Sequence, residues 1–257
     1  MSMSFPGKDI RTTSAEIMAA AASLKAAKRE LRSAMKTRLS SIPRAAIDSQ
    51  SRCIFESLAT FRPYVEAERI SVYLSMPAAE VQTDAIVRDA LHHGKAVFVP
   101  YLYRSGAAEG PTRIMDMVRL RDMQDFESLE RDSWGIPTID SESVAKRERI
   151  LEAGDHDRVG HVEEGLDVML MPGVAFEKDG AAVQRLGHGK GFYDFFLHRY
   201  RQAYAAKEKT EPMKLYGLAL EEQVSKDERV TIPVGPHDSS LNGLITGDGK
   251  IMDFPKS

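Results

Sequence analysis

At 257 residues and 42% hydrophobic content, the chain can bury one sizeable core and is short for two full domains of ordinary size. Its 35 Lys and Arg stand against 38 Asp and Glu, so no overall field draws the molecule onto nucleic acid or an anionic membrane, and any anion site must be local. The one cysteine, Cys53, can neither close an intramolecular disulfide nor build a cysteine zinc site, which makes a reducing compartment, the cytosol, the expected one.

No stretch approaches the roughly 20 apolar residues that a bilayer span needs. The Ala-rich run Met18–Ala22 is too short for a signal core. Asp9 and Glu16 speak against a transit peptide while leaving mitochondrial targeting open. Residues 1–22 read as a flexible leader, with a single domain over 23–257. From there Leu24, Leu31, Met35 and Leu39 recur at helical spacing until Ser41 and Pro43. A second helix follows Pro43 to about Phe61, with Ile47, Ile54, Phe55 and Leu58 inward. Ile70, Val72 and Leu74 alternate with Ser71, Tyr73 and Ser75 as a strand that ends near Pro77. Thr83 is placed to cap a helix carrying Ile86, Val87, Ala90 and Leu91, which Gly94 terminates.

Ala96–Val99 is a short buried strand before Pro100, and Arg113–Leu120 a third with weaker alternation. Leu166–Met171 is nearly continuous in apolar residues and stops at Pro172 and Gly173, as a central strand covered on both faces does. A Gly-rich loop leads to an aromatic-rich helix from about Phe192 to Ala206, then to strands near Leu215–Leu220 and Leu241–Thr246. Arg104–Pro111 and Ala145–Gly165 read as surface connections. Helices and strands interleave, so the expected class is a layered α/β fold with a mainly parallel sheet.

The segment richest in chemistry is RLGHGKGFYD, Arg185–Asp194, between the apolar strand and a helix. Gly187, Gly189 and Gly191 let the backbone curl so that successive N–H groups face one anion, and the helix that follows adds its positive end. Arg185 and Lys190 place cations in the same loop, and Asp194 is a candidate Mg2+ ligand. The competing reading is a tight turn with both cations solvated. It is not a Walker A loop, since Gln184 stands at the first glycine and Gly191 at the Ser/Thr; Phe192 breaks the dinucleotide pattern.

On the first helix Lys28 falls within the stripe of Leu24, Leu31 and Met35, with Arg32 at its margin. A lysine there either meets an anion or snorkels along the core edge. Lys25, Arg29 and Lys36 read as a solvated flank. Asp238, in IPVGPHD, is equally a plain turn aspartate, and Glu80, after the first strand, equally a solvated loop carboxylate. His188, His237, His92 and His93 lack metal-ligand spacing, and no Ser/His/Asp or Cys/His arrangement stands out.

Taken together, AKRELR (Ala27–Arg32), ISVYLSM (Ile70–Met76), MDMVRL (Met115–Leu120), SWGIP (Ser133–Pro137), LDVMLMPGVAFEKDG and RLGHGKGFYD resemble the 5-formyltetrahydrofolate cyclo-ligase family, also called methenyltetrahydrofolate synthetases. The match runs from Lys25 to about Ile245. It implies a single Rossmann-like, three-layer α/β domain and conversion of 5-formyltetrahydrofolate to 5,10-methenyltetrahydrofolate with ATP and Mg2+. ADP and phosphate would be released through a phosphorylated formyl (imidate) intermediate. The resemblance further implies that Lys28 and Arg32 bind ATP together with Arg185, Leu186, Gly187, His188, Gly189, Lys190, Gly191, Phe192 and Tyr193. Arg185 and Lys190 are the expected catalytic cations, and Asp194 and Asp238 the expected Mg2+ ligands. Leu74, Glu80 and Trp134 would line the folate pocket, with His188 to Phe192 touching substrate.

The expected partners are these small molecules alone, in a monomer or weak homo-oligomer. Departures from the family pattern are His188 in place of arginine, Phe192 in place of a tyrosine, a longer approach through Ala181–Gln184 and an extended Pro77–Ala79 turn. Two rivals stay open: a non-catalytic folate-binding paralogue, and a sugar-phosphate isomerase or sensor on a related α/β fold.

Overall fold

The computed structural model describes residues 14–106, 110–151, 164–205, 212–225 and 231–254. In chain order the elements are α1 (Ser14–Ser40), α2 (Arg44–Leu58), α3 (Arg62–Glu66), β1 (Arg69–Val72), α4 (Asp84–His92), β2 (Ala96–Arg104), β3 (Arg113–Arg119), α5 (Met123–Glu127), β4 (Glu130–Arg131), β5 (Pro137–Thr138) and α6 (Ser141–Val144). They continue with β6 (Val168–Met171), β7 (Ala175–Asp179), β8 (Ala182–Leu186), α7 (Phe192–Tyr204), β9 (Lys214–Ala219), a 3₁₀ turn (Glu221–Gln223), β10 (Gly243–Thr246) and β11 (Ile251–Asp253). No helix among the described residues is long and apolar enough to cross a membrane.

The main sheet has seven strands in the order β11-β10-β9-β6-β1-β2-β3. β2, β1, β6, β9 and β10 run parallel, and the edge strands β3 and β11 are antiparallel to their neighbours. Period-two alternation sends side chains to two separate cores. Ile70, Val72, Val97, Val168 and Leu170 pack under α2, α3, α4 and α5; Phe98, Met169, Met171 and Leu215 pack under α7 and the β7-β8 hairpin. This is a three-layer α/β domain. Each fully buried aliphatic side chain, such as Ile54 or Leu58 of α2, contributes about 1.5–3 kcal/mol.

α1 belongs to neither core. Its Met35 and Leu39 join Val174, Ala175, Leu186 and Ile232 in a small cluster at the carboxyl end of the sheet, which lays the helix across the strand ends. The helix starts at Ser14, upstream of the expected Leu24. Residues 14–22 of the expected leader are therefore helical, with the side chains of residues 18–22 exposed, while residues 1–13 lie outside the described residues.

Other boundaries moved for local reasons. β1 stops at Val72, and just beyond it Tyr73 O is taken by the hydroxyl of Thr83 (2.6 Å), which therefore does not cap α4. β2 runs through Pro100 to Arg104, since beyond Phe98 only β3 flanks it and the missing N–H is tolerated. Ala145–Gly165 is not all surface: Arg147 is buried in a bidentate pair with Asp125 (2.5 and 2.6 Å) and Ile150 is buried, while residues 152–163 lie outside the described residues. The β7-β8 hairpin and β11 were not expected from the sequence.

Candidate active site

Along the sheet, β1 is followed by β2 on one side and has β6 on the other, with Val72 opposite Leu170. The strand order reverses there, and in α/β sheets the ligand crevice lies beyond the carboxyl ends of the strands at such a reversal, here those of β1 and β6.

One wall comes from β6. Gly173 is packed so closely on Phe176 that a Cβ would stand 2.5 Å from its ring, and the chain then makes the β7-β8 hairpin, turning at Gly180 (φ +57°). The hairpin accounts for the long approach through Ala181–Gln184 and returns Arg185 to the strand end. Arg185 is almost fully buried. It donates to Pro172 O (3.3 Å) and Asp194 (3.3 and 3.4 Å) and lies over the Tyr193 ring at 5.4 Å. Its Nε is buried with no partner among the described residues. Gly189 (φ +96°) and Gly191 (φ +69°) adopt conformations that favour glycine. Gly191 caps α7 without a side-chain oxygen, which leaves the first-turn amides directed at the crevice mouth.

α1 closes over this loop. Arg32 donates to Gly187 O (2.7 Å), and its guanidinium crosses so near Gly189 that a Cβ there would sit 3.2 Å away. Lys28 is ion-paired with Asp238, whose carboxylate also accepts from Gly235 N (2.6 Å). Ser239 N donates to Asp194 (3.1 Å), so the Asp194 carboxylate is held by the residue next to Asp238. Lys190 is exposed, its ammonium with no acceptor among the described residues. His188 is open to solvent on one side; its imidazolium is disfavoured first by the protein packed about it, then by Arg185 and Arg32. Leu186 is buried beneath the loop and Phe192 packs against the α7 core, so these two offer the crevice mainly backbone.

The other wall comes from β1. Leu74 is buried at the strand end. Glu80, 5% exposed, turns back to accept from Met76 N, and burial lifts its carboxyl to about 7 against that hydrogen bond. Gln82 donates to Met76 O and Glu80 O (2.9 Å each), while Ala79 takes a positive φ of 65° in the same loop. Trp134, 74% exposed, rides on a tight turn fixed by Asp132, and Gly135 of that turn abuts Pro77. Burial also raises the phenols of Tyr73 and Tyr193, and each feels the Glu80 carboxylate. Tyr193, lying against Arg185, joins the two walls.

The sequence-derived residues therefore gather at one crevice, with Lys28, Arg32, Asp194, Asp238 and the 185–193 loop on one side and Leu74, Glu80 and Trp134 on the other. Tyr73, Gln82 and Ser239 were missed. Tyr73 reads as an ordinary strand residue, Gln82 acts through a side-chain amide whose acceptors are backbone carbonyls, and Ser239 acts through its backbone N–H; none of these carries a sequence signal. No group of three or more His, Cys, Asp or Glu side chains gathers among the described residues. Asp194 and Asp238 nevertheless suit Mg2+, which takes one or two carboxylates and completes its octahedron with phosphate and water.

A model of the 5-formyltetrahydrofolate cyclo-ligase family matches residues 24–247. A probable 5-formyltetrahydrofolate cyclo-ligase of Caenorhabditis elegans is 36% identical over 231 residues, covering 90% of this chain and 98% of its own. The 5-formyltetrahydrofolate cyclo-ligase of Mus musculus is 34% identical over 230 residues, covering 89% and 98%. Among solved structures, the NMR structure of Aquifex aeolicus 5,10-methenyltetrahydrofolate synthetase superposes with a TM-score of 0.60 at 21% identity, over 90% of this chain and 94% of that one, and shares the fold. With a family match that spans nearly the whole described domain, the chain belongs to the 5-formyltetrahydrofolate cyclo-ligase family of ligases.

Proposed function

We propose that this protein closes 5-formyltetrahydrofolate to 5,10-methenyltetrahydrofolate with ATP and Mg2+, releasing ADP and phosphate. The observation that carries the reading is the meeting of an anion cradle and a buried carboxylate at the neighbouring ends of β6 and β1. Relatives named for this activity support it.

N10 attacks a formyl amide poorly because the oxygen that must depart resembles hydroxide. Activation comes first: the formyl oxygen forms a bond to the γ-phosphorus as the bond to ADP breaks. N10 then bonds to the imidate carbon, the C–O bond breaks with phosphate taking the electron pair, and the N10 proton is lost to water. Asp194 and Asp238 would hold Mg2+, which would supply neutralisation of phosphate charge.

Arg185, anchored by Pro172 O and Asp194, presents a fixed guanidinium to the transferring group, and Lys190 follows it from the exposed side of the loop. Positioning and electrostatics of this kind supply most of the catalysis in phosphoryl transfer. Lys28, Arg32 and the loop amides hold the rest of the triphosphate. Glu80, Leu74 and Trp134 hold the folate so that its formyl oxygen faces the loop. The reducing compartment suggested by a single cysteine agrees with a cytoplasmic enzyme.

The test mixes purified protein, Mg-ATP and 5-formyltetrahydrofolate and follows methenyl absorbance. Absorbance should rise with ADP release and stop in chelator. Bound folate without ATP consumption would identify a non-catalytic paralogue. Thermal stabilisation by sugar phosphates in place of ATP and folates would favour the isomerase-type reading.

A further inference from the structure

The cation and the carboxylate assigned to opposite jobs at the nucleotide site are bonded to each other. Lys28 of α1 is paired with Asp238, with the two side chains 15% and 24% exposed. Asp238 also stands in the field of Arg32 and holds Gly235 N, while Gly235 packs against Leu24. The pair thus fastens α1 to the 231–242 segment across the mouth of the crevice.

A bare polyphosphate meets this arrangement badly. To reach Lys28 it must strip the ammonium from Asp238, which leaves a carboxylate facing phosphate oxygens with the Gly235 N–H as its one hydrogen-bond donor among the described residues and Arg32 only in its field. A divalent cation alone meets the mirror problem, because taking Asp238 leaves Lys28 unpaired in a partly buried place. When both arrive together, each partner exchanges one counter-charge for another.

We propose that the Lys28–Asp238 ion pair is an autoinhibitory latch that admits the metal–nucleotide complex and disfavours either component alone. The inference rests on the nucleotide site proposed above. Arg185–Asp194 supplies an internal contrast: Arg185 is only 4% exposed, is held by Pro172 O as well, and sits at 3.3 Å or more from Asp194, so removing that carboxylate frees no cation to swing outward.

The latch predicts a sign that an ordinary metal ligand does not. In calorimetric titration Asp238→Asn should bind ATP in chelator about five-fold more tightly than wild type, while its affinity for Mg-ATP, measured without chelator, falls. Asp194→Asn should tighten metal-free ATP much less. Reciprocally, Mn2+ without nucleotide, followed by electron paramagnetic resonance, should bind Lys28→Met more tightly than wild type.

Unchanged or weaker binding of metal-free ATP by Asp238→Asn would overturn the latch while leaving the nucleotide site standing, provided that wild type binds Mg-ATP. Equal tightening by Asp194→Asn would reduce it to the general field and overturn it too. Should Asp238→Asn fail to fold, the Mn2+ arm decides: tighter binding by Lys28→Met supports the latch, and equal or weaker binding overturns it. Wild type that binds neither form of the nucleotide would remove the site and the latch together.

Discussion

The loop after β8 and the loop after β1 meet at neighbouring strand ends, yet they are built by different means. The 187–191 loop is largely exposed, bent at two positive-φ glycines and lined with cations that come from different elements: Arg185 from β8, Arg32 from α1 and Lys190 from the loop itself. The 73–83 loop is wired to itself: Glu80 to Met76 N, Gln82 to Met76 O and Glu80 O, Tyr73 to Val81 O (3.1 Å), Thr83 to Tyr73 O. A nucleotide's phosphates bring their own charge and need movable counter-charges. A pterin-like ligand brings neutral donors and acceptors, and recognising it takes a polar group whose direction is fixed before binding. Removing a charge from the first wall should therefore cost activity without stability, whereas in the second the two should be coupled.

The largest effect is expected at Lys190, which is exposed and supports no other residue described. Lys190→Ala should lower kcat by roughly two to three orders of magnitude while leaving the melting temperature almost unchanged, as removal of a transition-state charge partner does. Parallel loss of melting temperature and activity would erase the distinction between the walls.

Next comes Glu80→Ala. A hydrogen bond to a charged or buried carboxyl contributes about 1.5–3 kcal/mol, so KM for the folate should rise roughly ten-fold or more with KM for ATP unchanged. A rise confined to ATP would exchange the roles of the walls.

Glu80→Gln sharpens the comparison through pH. Burial raises the Glu80 carboxyl from 4.5 to about 7, so its contribution to stability is complete below about 4.5 and is lost as pH climbs through 7. The glutamine cannot ionise. Its advantage over wild type in denaturant unfolding should grow between pH 4.5 and 7 and level off above, reaching about 3 kcal/mol. A pH-independent difference would mean that Glu80 is not held as described.

The smallest effect is expected at Gly191, where a Cβ meets nothing within 4 Å and only the backbone angle objects. Gly191→Ala should cost about 1 kcal/mol, read as a small drop in melting temperature.

Much of the fold was readable because periodicity reports burial. The continuous apolar run before Pro172 placed the central strand, and the Ile47–Leu58 spacing placed α2. What escaped were elements whose signal is short or shared. Asp179–Gly180 is a hairpin cue that reads equally as a loop, and the three residues of β11 are too few for any period. At the site, the glycines, Arg185 and Lys190 announced an anion cradle by composition alone. Glu80 and Asp238 did not, because their burial and partners depend on contacts 4 and 210 residues away that spacing does not encode. The resemblance supplied both.

The central claim is that the formyl oxygen takes up the γ-phosphoryl group before the ring closes, and isotope transfer tests it most directly. With 5-formyltetrahydrofolate carrying ¹⁸O in the formyl group, a single turnover should deliver the label into inorganic phosphate. Label recovered in water, with unlabelled phosphate, would show that the oxygen leaves without ever being phosphorylated and would contradict the account.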